Sequence, residues 1–253
     1  PDGRSSARRP QVNGNRSPDK PLPRDRTSMV EAVVFDLFET LVTESQVRPV
    51  RASTLGEALG LEREAFKAEW KVRRPSVVLG RLPFIDALTQ ISRALDGGVD
   101  WPAIREAREQ RILEKAMAFA DVDRQVADMV RTLREQGVRL AVVSNCFAED
   151  VQAWSAWELA GEFQCVVFSW AAGLAKPDPR IYTTATRRLA VRPDASVFIG
   201  DGGDGELVGA KQAGLRAFRA DWFVQRRPQP GSTDDAAIGL KTCQDAVRLA
   251  TAG

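Results

Sequence analysis

The feature that most restricts how this chain can fold is an alternation that begins at Asp121. Short β-branched apolar runs and helical stretches follow one another at close spacing. A helix is predicted over about 122–136, with Val126, Met129, Val130 and Leu133 on one face and a stop at Gly137. The strand VRLAVVS (138–144) comes next, then a Trp-bearing helix over about 148–160 and a strand over 165–169. The segment KPDPRIY (176–182) opens another helix, with Asp178 placed to cap it and Pro179 at its first position. The strand SVFIGD (196–201), a Gly-rich turn, a helix over about 205–213 and a strand over 215–219 complete the series. Repeated β-loop-α units of this length imply an α/β fold with a Rossmann-like parallel sheet covered on both faces. A surface loop at RRPQPGS (226–232) and a closing helix over about 241–251 follow.

Upstream lies EAVVFDLFETLV (31–42). It reads as a strand ending in Asp36, with an exposed loop over Leu37 to Thr40. Asp36 is either a capping residue or a functional carboxylate delivered at a strand's C-terminal edge. Residues 52–118 carry only helical periodicity, clearest at 62–70 and 84–95. Asp100, before Trp101 and Pro102, suits an N-cap for a helix running through Ile104, Ala107, Ile112 and Met117. These helices form an inserted α-helical unit over 51–118. The core comprises 29–50 and 119–253, and 1–28 is a leader. Phe66, Trp70, Phe84 and Trp101 in the insert read as packing.

Composition narrows the chemistry. No residue among the 253 is a histidine, which excludes Ser-His-Asp and Cys-His catalysis and any His-ligated zinc. Cys146, Cys165 and Cys243 are few and scattered, which suits a reducing cytoplasm. No apolar run approaches the roughly 18 residues needed to cross a bilayer. The leader carries seven basic groups against three acidic ones. It lacks interleaved aromatics and is rich in Pro, Ser, Asn and Gly, so it reads as disordered, with nucleic-acid binding the lesser alternative.

Four segments then converge on one sheet edge. Asp36, Ser144-Asn145, Lys176 and Asp201 all lie at or just beyond strand ends, where doubly wound sheets bind ligands. Two carboxylates, Asp36 and Asp201, are costly neighbours without a cation between them. A hard ion such as Mg²⁺ suits oxygen ligands. Lys176 can offset a substrate's negative charge, and Ser144 and Asn145 can hydrogen-bond its oxygens or simply form a turn or a helix cap.

In this order the segments resemble the motifs of the haloacid dehalogenase (HAD) superfamily, in the branch with a helical cap after motif one. FDLFETL (35–41), VVSN (142–145), KPDPRIY (176–182) and GDGGDGE (200–206) carry the likeness, which spans about 30–220. The resemblance implies that Asp36 is a nucleophile oriented by Thr40. It implies that Ser144 and Asn145 bind the transferring group and that Lys176 stabilises charge. It further implies that Mg²⁺ is held by Asp36, Asp201 and the Phe38 main-chain carbonyl, with Glu206 nearby. The activity implied is hydrolysis of a small phosphorylated metabolite through an aspartyl-phosphate.

Two departures stand out. Phosphatases of this superfamily usually carry a second Asp where this chain has Phe38. Glu39, at a position where the family usually has a small residue, either extends into solvent or replaces the missing acid-base group. Asp204 is a second candidate for that part. Metal-independent haloacid dehalogenases resemble the chain in having an aromatic residue at the Phe38 position and in the pairing of Lys176 with Tyr182. They have Ser at the position of Asp201 and need a cap arginine, for which Arg63, Arg73 and Arg74 are candidates. A third reading is a non-catalytic HAD-fold binding module. The retention of Asp36, Lys176 and Asp201 counts against it. Oligomeric state is not specified by the sequence.

Overall fold

The computed structural model describes residues 29–44, 52–223 and 238–252. The leader and the RRPQPGS loop lie outside these described residues. Six parallel strands form one sheet: β1 (Ala32–Phe35), β2 (Arg139–Ser144), β3 (Cys165–Phe168), β4 (Ser196–Gly200), β5 (Arg216–Ala220) and β6 (Gly239–Leu240). Their order is β3-β2-β1-β4-β5-β6. The chain builds outward from β1 through β2 to β3, then crosses back to lay β4 against the other side of β1. The switch point of this doubly wound sheet therefore lies between β1 and β4, and a crevice opens beyond their carboxyl ends.

The central strands β1, β2 and β4 are buried on both faces, and their pleat sorts the side chains. Val33, Phe35, Leu140, Val142, Val197 and Ile199 enter one core, with α5 (Arg124–Glu135) and α9 (Cys243–Thr251) packed over them. Ala32, Val34, Ala141, Val143 and Phe198 enter the other, under α7 (Pro179–Arg188) and α8 (Glu206–Gln212). Full burial of one such side chain as large as Phe35 is worth about 1.5–3 kcal/mol. Asp178 caps α7 by accepting from the Arg180 amide, and Pro179 starts it, as the sequence indicates.

Between β1 and α5 the chain forms α1 (Ala52–Ala58), α2 (Arg63–Val78), α3 (Phe84–Asp96) and α4 (Trp101–Ala120). Asp100 caps α4 by accepting from the Ala103 amide. These helices share their own apolar core, in which Phe66, Trp70 and Phe84 are buried, and Phe147 from the loop after β2 joins it. Its ring lies 5.8 Å from Trp70 and 5.9 Å from Phe84. Trp101, by contrast, is 43% exposed and is not part of that packing. Met117 and Leu113 are also exposed on α4, so its apolar stripe is narrower than the spacing implies.

Two local expectations are corrected. The segment 148–160 is not a helix but three single 3₁₀ turns, at Glu149–Val151, Trp154–Ala156 and Ala160–Glu162. The 3₁₀ geometry brings residues three apart onto one side, and Trp154 and Trp157 both pack among Phe119 and Phe163. The Leu37–Thr40 loop is not exposed: Leu37 and Thr40 are fully buried. It forms a tight turn in which Leu41 and Val42 amides both donate to the Leu37 carbonyl. Helix α6 (Ser169–Ala172) and strand β6 are too short to show a period in the sequence.

Candidate active site

Asp36 continues directly from β1, its amide donating to the Ile199 carbonyl of β4 at 2.9 Å. That bond fixes its carboxylate at the switch point, where it is only 6% exposed. Lys176, from the loop before α7, places its ammonium between two carboxylates. It donates to Asp36 Oδ1 and to Glu206 Oε2, and all three groups are buried. The other Glu206 oxygen accepts from the Gly202 amide at 2.9 Å. Glycine is required at 200 for this arrangement, because a Cβ there would stand 2.1 Å from Glu206 Oε1. Tyr182 donates to the Glu206 carbonyl at 2.7 Å and so ties α7 to the start of α8.

The electrostatics follow from burial. Desolvation pushes Glu206 up to about 8, with Lys176 opposing and Asp36 and Asp201 adding to the rise. Asp36 is raised for the same reason, again against the pull of Lys176. Burial disfavours the charge on Lys176, but Asp36 and Glu206 outweigh it and hold the amine above the ordinary lysine range. One ammonium cannot neutralise three carboxylates, so a proton or a cation must supply the balance. Asp36, Asp201 and Glu206 each offer an oxygen, all within 4.8 Å of one another. An all-oxygen, anionic donor set with a charge deficit fits a hard divalent cation such as Mg²⁺.

A cavity of about 190 Å³ opens over this cluster. Ser144 and Asn145 line it, as do Phe38, Asp201, Asp204 and Glu206. Asn145 is not simply a group facing substrate. Its Oδ1 accepts from the Lys176 amide at 2.8 Å and its Nδ2 donates to the Lys176 carbonyl at 3.0 Å. This two-point clamp sets the loop that carries Lys176. Nδ2 also donates to Asp204 at 3.0 Å. Arg74 of α2 approaches Asp204 to 3.9 Å, whereas Arg73 pairs with Glu69 on its own helix and Arg63 is exposed.

Three sequence-derived roles are not supported by the geometry. Thr40 is buried, but its hydroxyl has no hydrogen-bond partner among the described residues, so no bond to Asp36 orients the carboxylate. Its carbonyl instead accepts from Trp222 at 2.8 Å. Glu39 neither lines the cavity nor extends into solvent. Its carboxylate accepts from the Glu44 amide at 2.9 Å and from Thr43 at 3.2 Å, and burial raises its pKa. Its φ is 57°, in the left-handed region that favours glycine, which explains why a small residue suits this position. Asp204, also left-handed at φ 52°, does line the cavity, but faces donors from Asn145 and Arg74.

Two groups go beyond the sequence reading, Glu206 in its role and Lys115 altogether. Glu206 is a central member of the cluster rather than an auxiliary one. Lys115 of α4 stands 3.9 Å from the centroid of the Phe38 ring and pairs with Glu44. The only sequence signal for it is the row Arg108, Arg111, Lys115 along one helix, whose first two members pair with Glu149 and Asp150.

The family model for haloacid dehalogenase-like hydrolases matches residues 30–214. Among curated proteins, the glyceraldehyde 3-phosphate phosphatase of Methanopyrus kandleri is 27% identical over 213 residues, covering 82% of this chain and 91% of that protein. A HAD phosphatase structure from Thermococcus onnurineus superposes with a TM-score of 0.59 at 19% identity, covering 87% of this chain and 98% of the other. The L-2-haloacid dehalogenase of Xanthobacter autotrophicus superposes with a TM-score of 0.56 at 18% identity, covering 87% and 98%. At such identities the two structures speak for the shared fold alone.

Proposed function

Since the chain belongs to the haloacid dehalogenase-like hydrolase family, we propose that it is a Mg²⁺-dependent phosphatase of a small phosphorylated metabolite. The observation that carries this reading is the cluster in which the buried carboxylates of Asp36 and Glu206 flank the ammonium of Lys176 and the half-buried Asp201 offers a third oxygen within 4.8 Å. The phosphatase activity of the Methanopyrus kandleri relative supports it.

Asp36 attacks the phosphorus in line, the bond to the leaving group breaks, and an aspartyl-phosphate forms on its carboxylate. Water then cleaves that intermediate and restores Asp36. Ser144 and Lys176 bind the phosphoryl oxygens, and Lys176 offsets the charge that develops on them. Asn145 acts through Lys176, holding its loop at both the amide and the carbonyl. Asp36, Asp201, Glu206 and the Phe38 main-chain carbonyl would hold Mg²⁺, which supplies a further positive charge against the phosphoryl group.

The helices of 51–118 serve as a cap over a core of 29–50 and 119–253, limiting water at the site when closed. Of Arg63, Arg73 and Arg74, Arg74 is the one that approaches a residue lining the cavity, Asp204, at 3.9 Å. No helix among the described residues is long and apolar enough to cross a membrane, and we place the enzyme in the cytoplasm on its sparse, buried free cysteines.

Metal-independent dehalogenation is the second reading, favoured by the aromatic ring of Phe38 at the cavity. Three clustered carboxylates count against it, because they repel a carboxylate substrate unless a cation is bound. The deciding experiment measures phosphate release from an aryl phosphate with Mg²⁺ and with chelator, beside halide release from a 2-haloacid, with Asp36→Asn as blank. Mg²⁺-dependent phosphate release lost in the variant supports the proposal. Metal-independent halide release replaces it with the dehalogenase.

A further inference from the structure

The cavity has a single apolar side chain among its described lining residues, and that side chain is pinned. The ring of Phe38 packs edge-on against Phe119 at 6.1 Å. Phe119 is itself set against Trp154 at 6.4 Å and Trp157 at 5.8 Å. The ammonium of Lys115 stands 3.9 Å from the Phe38 ring centroid, a cation–π distance. Lys115 is anchored in turn by Glu44, just beyond the turn that carries Phe38. The ring is therefore part of a rigid apolar wall held from two elements.

Every ionisable group lining the cavity already has a fixed partner. Lys176 lies between Asp36 and Glu206, and the remaining Glu206 oxygen accepts from Gly202. Asp201 accepts from the Gly203 amide at 2.9 Å, and Asp204 accepts from Asn145. Glu39 faces its own loop. Among the described residues, no carboxyl group of the lining is without a hydrogen-bond partner, and the Lys176 ammonium is held between two of them, so none is free to follow a departing oxygen.

We propose that Phe38 makes this site selective for phosphoryl donors whose leaving group departs as a stable anion: acyl, enol and aryl phosphates in preference to esters of aliphatic alcohols. The inference rests on the phosphatase reading above. In the first step a carboxylate oxygen of Asp36 forms a bond to phosphorus. The bond from phosphorus to the leaving oxygen breaks, and its electron pair leaves on that oxygen. A carboxylate, enolate or phenolate carries the pair without a proton and collects one later from water if it needs it. An aliphatic alkoxide is far more basic and needs the proton during bond breaking. In the second step water attacks the aspartyl-phosphate, its surplus proton goes to solvent, and Asp36 is regenerated.

The test compares kcat/KM for phosphate release from phenyl phosphate and benzyl phosphate, with Mg²⁺ present. The two are close in size and apolar character but differ in leaving-group basicity. General acid help is worth about 10²–10⁴ in rate, so phenyl phosphate is expected to exceed benzyl phosphate by about that factor. Phe38→Asp, which puts a carboxyl group at the wall, is expected to narrow the ratio by about tenfold or more. A wild-type enzyme that hydrolyses both at comparable rates overturns this inference and leaves the phosphatase reading intact. Release from neither overturns both. The wild-type ratio decides alone where the variant does not fold.

Discussion

Replacing Lys176 with Met removes the cation between Asp36 and Glu206 while keeping most of the apolar stem of the side chain. The Lys176 side chain is 4% exposed, and those of its partners are 8% and 1% exposed. An exposed pair of this kind would contribute under about 1 kcal/mol. Breaking a buried one from one side costs about 3–5 kcal/mol, because the orphaned charge has lost both water and partner. Here two carboxylates are orphaned, and a third, Asp201, lies within 4.8 Å. The carboxylates can escape part of that cost by taking up protons, which makes the loss depend on pH.

The sign follows from Glu206, whose pKa is raised from 4.5 to about 8 even with Lys176 present. A carboxylate with a raised folded pKa contributes stability at low pH that is lost as pH rises from its ordinary value through the raised one. Losing the cation raises that value further, so the deficit of the variant grows with pH. The expected loss is about 3–5 kcal/mol at pH 8 in chelator, and smaller by at least about 1 kcal/mol at pH 5. Urea unfolding followed by circular dichroism reads this directly. With a slope near 3 kcal/mol per molar, the midpoint falls by about 1 M or more at pH 8. Equal midpoints at pH 8, or a deficit that grows on acidification, would refute the reasoning.

Three further outcomes follow from the same geometry. Glu39→Gln is expected to leave turnover near wild type, since its carboxylate serves the 39–44 turn; a loss of orders of magnitude in steady-state assays would return it to the chemistry. Asn145→Ala frees the Lys176 loop and is expected to lower kcat by about 10²-fold, the scale of an ångström of misplacement, with a smaller change in KM. Gly209→Ala would set a Cβ 2.2 Å from the Pro177 carbonyl. It is expected to cost about 1–3 kcal/mol by overpacking, read as a fall of several degrees in thermal midpoint.

Much of the fold was legible because its signals are local. The caps Asp100 and Asp178, the strand runs and the Gly137 stop each act within a few residues, and the structure keeps them. The 148–160 segment was misread because Trp154 and Trp157 answer to distant rings, at Phe119 and Phe163, that no local period encodes. The site divides in the same way. Asp36, Lys176 and Asp201 were recognisable at strand ends and in loops. The burial of Glu206 depends on Gly200 yielding space to it, the Asn145 clamp joins loops 31 residues apart, and Lys115 reaches Phe38 from another helix. Such pairings arise from tertiary contact. The turn chemistry of Glu39 is intermediate: its left-handed φ is a local property, but which way its carboxylate turns is decided by Thr43 and Glu44.

The central claim is that Asp36 becomes covalently phosphorylated. The most direct measurement is mass spectrometry of the enzyme quenched in acid during turnover of an aryl phosphate with Mg²⁺, followed by peptide mapping. The account expects one phosphoryl increment on the peptide containing Asp36, absent in Asp36→Asn and absent in chelator. Steady phosphate release with no modified peptide, or with the phosphoryl group on another residue, would contradict it.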